Sequence, residues 1–182
     1  MLENDFFKRI QENKLRNLAV TFPIVCLVGP RQSGKTTLAR HAFPSYQYVS
    51  LEDLDNRSFA EADPRGFLNQ YSDYTIIDEA QRVPGLFSYI QTKVDQTDKP
   101  GQYLLTGSAH LSLLENLAQS LAGRVALLKL LPLSLSELSN VQLQSNDCMK
   151  LLFRGFYPRI YKHNIDPNDW YPNYIQTYIE KD

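Results

Sequence analysis

Short runs of apolar, β-branched residues alternate along the chain with stretches in which apolar residues recur at helical spacing. Ile24-Val25-Cys26-Leu27-Val28 is the clearest of the short runs, stopped by Gly29-Pro30, and it reads as a strand buried on both faces. Tyr46 to Leu51, Tyr74 to Ile77 and Tyr103 to Leu105 repeat that pattern, each ending in polar residues. A helix is expected from Lys35 to about His41. Leu86, Phe87, Ile90 and Val94 fall at helical spacing and place a second helix between two strands. Leu113, Leu114, Leu117 and Leu121 give another helix face, and Val125 to Leu131 a fifth strand closed by Pro132. Such alternation predicts an α/β fold, a parallel sheet covered by helices. At the amino end, residues 5 to 18 read as an amphipathic helix. Phe6, Phe7, Ile10 and Leu18 share its apolar side, and Lys14 interrupts the stripe.

Composition changes this picture little. The 182 residues are 43% hydrophobic and 21% charged, enough for one domain with an ordinary core. The net charge of −1 gives no global attraction to nucleic acid or anionic lipid. Apolar stretches reach about eight residues, well short of the roughly twenty a bilayer span needs, so no membrane segment is expected. Cys26 and Cys148 are too few for a zinc framework, and Cys26 reads as a buried thiol. A cytoplasmic setting is the expectation. His41, His110 and His163 lie in separate segments without metal-ligand spacing and read as surface residues.

The chemistry lies at the strand ends. Gly29-Pro30-Arg31-Gln32-Ser33-Gly34-Lys35-Thr36, followed by Thr37, matches G-x-x-x-x-G-K-T after a strand and before a helix. Glycines let successive backbone N–H groups turn inward, and the helix opening at Lys35 aims its positive dipole end at phosphates. Lys35 adds a charge toward the β- and γ-phosphates of ATP, and Thr36 offers a hydroxyl to Mg²⁺. Tyr74-Thr75-Ile76-Ile77-Asp78-Glu79 ends a strand in two carboxylates. Asp78 is the expected magnesium acid, and Glu79 the base that orients and deprotonates a water in line with the γ-phosphate. Thr106 and Ser108, ending the next strand, either sense the γ-phosphate or form an ordinary strand-to-helix cap. Arg124 either stabilises charge on the transferring phosphoryl group or makes a surface ion pair; Arg31 and Arg82 carry the same ambiguity.

Taken together, GPRQSGKTTLA, SLEDLDNRSFAEADPRGFL, IIDEAQRVPGLFSYIQ, LTGSAHLSLLENLAQSLAGRVALLKLLPLSLSEL and NYIQTYIEKD resemble the prokaryotic AAA-type ATPases that carry a second domain of unknown function. The resemblance implies a three-layer P-loop NTPase fold with a five-stranded sheet in order 5-1-4-3-2. It implies a water-activating Glu79 and a sensor region at Thr106 to Ser108. Kinship with STAND-like signal-transducing ATPases adds the expectation of a nucleotide switch, with residues 52 to 72, poor in structural signals, as its moving part. An ATPase core is expected over 1–140, and a short helical extension over 141–182 leading to a second domain that is absent. Two departures stand out: Lys181 occupies a position where the family pattern has arginine, and the chain stops where the pattern continues.

The extension is rich in aromatics, with Phe156, Tyr157, Tyr161, Trp170, Tyr171, Tyr174 and Tyr178. Tyr174, Ile175, Tyr178 and Ile179 form an apolar stripe, with Pro172 as its helix start. Its expected partner is the core, the absent domain or another protein; base stacking is the alternative. Three functions compete with an ATP/ADP switch: a small-molecule kinase, a nucleic-acid motor prompted by Asp78-Glu79-Ala80-Gln81 and acting as an oligomer, and a nucleotide-binding module without turnover. Glu79 beside the metal acid favours water over another phosphate acceptor.

Overall fold

Strands buried on both faces need helices on both sides, and the five strands supply that arrangement. The computed structural model describes residues 6–97, 99–108, 119–138 and 148–179. Strands β1 (Ile24–Gly29), β2 (Gln47–Ser50), β3 (Thr75–Asp78), β4 (Tyr103–Ser108) and β5 (Val125–Lys129) form one sheet in the order β2-β3-β4-β1-β5. That is the expected 5-1-4-3-2 order read from the other edge. All pairings are parallel; Gly29 lies opposite Ser108, and Ser50 opposite Asp78. The loop, the acidic pair and the hydroxyl residues therefore share the carboxyl edge, where ligands bind in open α/β sheets.

Alternation along the strands sorts the two faces. Ile24, Cys26, Val28, Val49, Ile77 and Leu105 pack with Phe67, Leu68, Leu86, Phe87, Ile90 and Val94. The latter come from α4 (Pro64–Gln70) and α5 (Leu86–Thr97). The intervening residues of the strands turn to the opposite face, where α2 (Lys35–Ala42) lies against β1, β3 and β4. Burial pushes the Cys26 thiol up to about 12, leaving it an inert core group.

Three features differ from the sequence expectations or add to them. Helix α1 (Gln11–Ala19) buries Leu15 and Ala19, whereas Ile10 is 63% exposed and Phe6 and Phe7 lie outside the helix. Leu15 and Ala19 are four residues apart and define the inward stripe. The segment 52–72, poor in structural signals, folds into two helices, α3 (Leu54–Ala62) and α4. Asp53 accepts a hydrogen bond from the Asn56 N–H, and Asp63 accepts one from the Gly66 N–H at 2.9 Å with Pro64 at the first helical position. Phe67 is fully buried among the core side chains and holds the segment to the sheet.

The third concerns Pro172. The helix Pro167–Tyr174 starts at Pro167 with Asp166 as its cap, and Pro172 lies inside it. A π-helical turn follows over Ile175–Ile179. Tyr174 is buried and Ile175 is 44% exposed, so the expected stripe does not face one way. Trp170 and Tyr174 stack at 4.6 Å, with Ile160, Tyr157 and Tyr178 around them, so among the described residues the extension packs on itself. Of the leucine helix before β5, residues 113, 114 and 117 lie outside the described residues; Leu121 is buried in the core.

The chain divides into two compact units, Ile10–Leu131 and the described parts of Met1–Arg9 with Pro132–Asp182. The first holds the sheet. In the second, Ser134 and Glu137 form a capping box: the Glu137 N–H donates to Ser134 Oγ, and the Ser134 N–H to Glu137 Oε2. Glu137 also takes a buried hydrogen bond from Arg9 Nε at 3.1 Å. No helix among the described residues is long and apolar enough to cross a membrane.

Replacing Phe67 by alanine leaves a cavity beneath α3 and α4, with an expected loss of about 3–5 kcal/mol. Urea unfolding followed by circular dichroism measures it; a loss below about 1 kcal/mol would show that the segment contributes little to the core.

Candidate functional site at the carboxyl edge

The loop from Gly29 to Thr36 is shaped by backbone constraints that its residue types meet. A Cβ on Gly29 would lie 2.1 Å from the Leu130 carbonyl oxygen, so only glycine fits where β1 passes the end of β5. Gln32 and Gly34 adopt left-handed conformations, φ 59° and 94°. These turns carry the loop to the amino end of α2, where unpaired helix N–H groups suit an anion. Pro30 and Arg31 are half-buried, Gln32 is exposed and Ser33 is buried.

Lys35 is only 5% exposed, and its Nζ donates to the carbonyls of Gly29 (3.0 Å) and Pro30 (2.9 Å). Burial lowers its pKa, opposed by the charges of Glu79 and Asp78 and assisted by Arg31. A cation held against its own loop in a partly desolvated position is a group for which an arriving phosphate supplies a full counter-charge.

Asp78 is the centre of the site. It is 6% exposed, and a carboxylate so buried requires donors. Thr36 Oγ1 donates to it at 3.0 Å, the Tyr48 phenol at 2.9 Å, and the Thr106 hydroxyl also donates to Oδ1. The Glu79 N–H reaches the same Thr106 oxygen at 3.4 Å. Thr36 and Asp78 thus present adjacent hard oxygens beside a helix amino terminus, a donor set that fits Mg²⁺, which takes few protein ligands and keeps waters. Among the described residues no cluster of three or more His, Cys, Asp or Glu side chains offers a competing metal site.

Glu79 sits in the left-handed region at φ 54°, unusual for a side chain larger than asparagine, and opens the 3₁₀ turn Ala80–Arg82. Its Oε2 accepts from Gln81 Nε2. Beyond it, Arg82 donates to both oxygens of Glu52 at 3.1 Å, and Arg31 approaches Glu52 at 4.0 Å. These pairs are solvent-exposed ties across the rim and add little stability.

The structure brings Lys35, Thr36, Asp78, Glu79 and Thr106 together. Ser108 is buried beside Gly29 in the sheet register, and Thr37 is exposed on the first turn of α2. It does not bring Arg124. The Arg124 carbonyl accepts the Ile24 N–H at the beginning of β1, whereas the phosphate loop follows its end. Five strand steps, roughly 16 Å, separate the two edges. Arg124 instead pairs with Asp95 on the surface, Nη2 to Oδ2 at 2.8 Å, the alternative its sequence position left open. Two participants escaped the sequence reading. Tyr48 lies in the strand read as a plain apolar run, and Gln81 follows the acidic pair by two residues. A phenol in a strand carries no spacing signal until the partner strand is placed, and the Gln81 contact with Glu79 forms only in the turn that follows β3.

This arrangement defines an AAA-type P-loop ATPase domain. The chain belongs to the AAA domain family, whose model matches residues 21–139. Uncharacterized protein Mb2031c of Mycobacterium bovis is 36% identical over 173 residues, which are 93% of this chain and 38% of that protein. The chain thus spans well under half of that relative's length. AMPPCP-bound DnaA from Aquifex aeolicus shares the fold at a TM-score of 0.56 and 17% identity, over 94% of this chain and 63% of that one. The Walker-type ATPase paby2304 of Pyrococcus abyssi shares it at 0.51 and 17%, over 79% and 61%.

Gly29→Ala forces the new methyl against the Leu130 carbonyl and displaces the loop, with an expected stability loss of about 1–3 kcal/mol. Thermal unfolding checks this; an unchanged midpoint would mean that β1 and β5 separate freely at this end.

Proposed function

We propose that this domain binds ATP with Mg²⁺ and hydrolyses it, using Glu79 to position and deprotonate the attacking water. The single observation that carries this reading is the placement of Lys35, Thr36, Asp78 and Glu79 at one sheet edge, beside the loop that opens α2. Residues Gly29 to Thr37 cradle the phosphates, and Lys35 leaves the Gly29 and Pro30 carbonyls to meet their charge. Thr36 and Asp78 would hold Mg²⁺, which when bound neutralises charge on the phosphate oxygens. Glu79 accepts the proton of a water as its oxygen attacks the γ-phosphorus; the bond to the bridging oxygen breaks, and ADP leaves. Thr106, tied to Asp78 and to the Glu79 backbone, transmits the position of one carboxylate to the other.

The hydrolytic cycle serves as a conformational switch. The rim supports this reading: Glu52, before α3, meets both Arg31 of the phosphate loop and Arg82, three residues beyond Glu79, so the start of α3 adjoins both sides of the γ-phosphate position. What reads that switch is a protein partner or a further domain. A binding module without turnover is the second reading, favoured by the bond from Gln81 that occupies the Glu79 carboxylate.

Two variants separate these readings. Lys35→Ala removes charge-assisted contacts worth about 1.5–3 kcal/mol, so ATP affinity falls about tenfold or more by calorimetry. Unchanged affinity refutes the loop assignment. Glu79→Gln keeps the shape and loses the base; it retains ATP binding while phosphate release slows about 100-fold or more. Equal turnover in wild type and variant moves the base elsewhere, and binding with no turnover in wild type leaves the module reading ahead.

A further inference from the structure

Tyr48 belongs to no phosphate-loop or acidic-strand motif, yet it contacts the acid on which the metal reading depends. Its position follows from the β2–β3 register. Tyr48 lies opposite Ile76 and Ser50 opposite Asp78, so Tyr48 and Asp78 are diagonal neighbours on one face. Such neighbours stand about 7–8 Å apart, a distance an aromatic side chain can bridge. The phenol oxygen lies 2.9 Å from Asp78 Oδ2.

The ring is held independently of that bond. Arg40, one helical turn beyond Thr36 on the same face of α2, places its guanidinium 4.8 Å from the centre of the Tyr48 ring. Two α2 residues therefore meet two sheet residues: Thr36 meets Asp78, and Arg40 meets Tyr48. A hydroxyl that offers an oxygen lone pair to a cation still has its hydrogen to donate, so Thr36, Tyr48 and Thr106 together fix Asp78.

We propose that Tyr48 is a positioning residue: its hydroxyl orients the Asp78 carboxylate and thereby sets the affinity with which Mg²⁺ supports nucleotide binding. This inference rests on the nucleotide and metal reading given above. Thr106 approaches from the buried centre of the sheet, and Tyr48 from its edge strand, so the two donors grip the carboxylate from different strands. Tyr48 is 37% exposed, so water replaces its hydroxyl in part, and loss of the bond weakens the site without abolishing it.

Tyr48→Phe isolates the hydroxyl, because the ring and its contact with Arg40 remain. Binding of a non-hydrolysable ATP analogue to the purified chain is measured by calorimetry across Mg²⁺ concentrations and in EDTA, alongside thermal unfolding without nucleotide. The half-saturating Mg²⁺ concentration is expected to rise about tenfold in Tyr48→Phe, with affinity in EDTA within twofold of wild type and the unfolding midpoint lowered by no more than about 5 °C. Identical Mg²⁺ dependence in variant and wild type overturns the proposal. So does an equal loss of affinity with and without Mg²⁺, which assigns Tyr48 to the packing of the cleft. Lys35→Ala, weakened in EDTA as well, marks the behaviour of a phosphate contact. If wild type binds the analogue without Mg²⁺ dependence, the metal reading fails first and this inference with it; if wild type behaves as expected and Tyr48→Phe matches it, this inference alone fails.

Discussion

A carboxylate that is nearly buried must be surrounded by donors, and Asp78 meets that demand by drawing three elements besides its own strand to one point. Thr36 comes from the helix that opens on the phosphate loop, Tyr48 from the edge strand and Thr106 from a central strand. Each hydroxyl satisfies part of the cost of removing the charge from water. The same contacts fix where the phosphate loop stands relative to the acidic pair, so stability and site geometry share one set of hydrogen bonds.

The direction of a parallel sheet decides which residues can join that cluster. Residues following the strand ends gather at one edge, and residues preceding the strands gather at the other. Glu79, Ser108 and Glu52 are on the favoured side. Arg124, though only a few residues from Leu130 in sequence, precedes β5 and stands at the far edge, paired with Asp95. Proximity along the chain to a glycine and a strand says nothing about which end of the strand faces the site. Glu79, by contrast, follows Asp78 directly, and the left-handed turn at that residue keeps it at the edge before the chain leaves the sheet.

Local signals missed by periodicity explain the helices of the segment 52–72. The inward residues Phe59, Ala60, Phe67 and Leu68 belong to two short helices with a break at Asp63, so no single helical period runs across them. Asp63-Pro64 carries the start of the second helix: an Asp cap followed by proline at the first position. The aromatic extension failed for a different reason. Pro172 lies in the helix interior, where it withholds a backbone donor, and the start is set by Asp166 as cap with Pro167 at the first position, while Trp170 stacks on Tyr174.

By itself the sequence determined the class of fold, the phosphate loop, the acidic strand end and the helix between two strands, because each depends on short-range rules of spacing, backbone freedom and burial. The glycines, Lys35, Thr36 and the Asp78-Glu79 pair had to be where they are for reasons visible within a few residues. Tertiary structure alone decided the rest: which hydroxyls surround Asp78, that Tyr48 reaches it across a strand, and that Arg124 faces away. These depend on register and strand order, which set distances between residues about 30 positions apart in the chain, and no local period encodes such a distance.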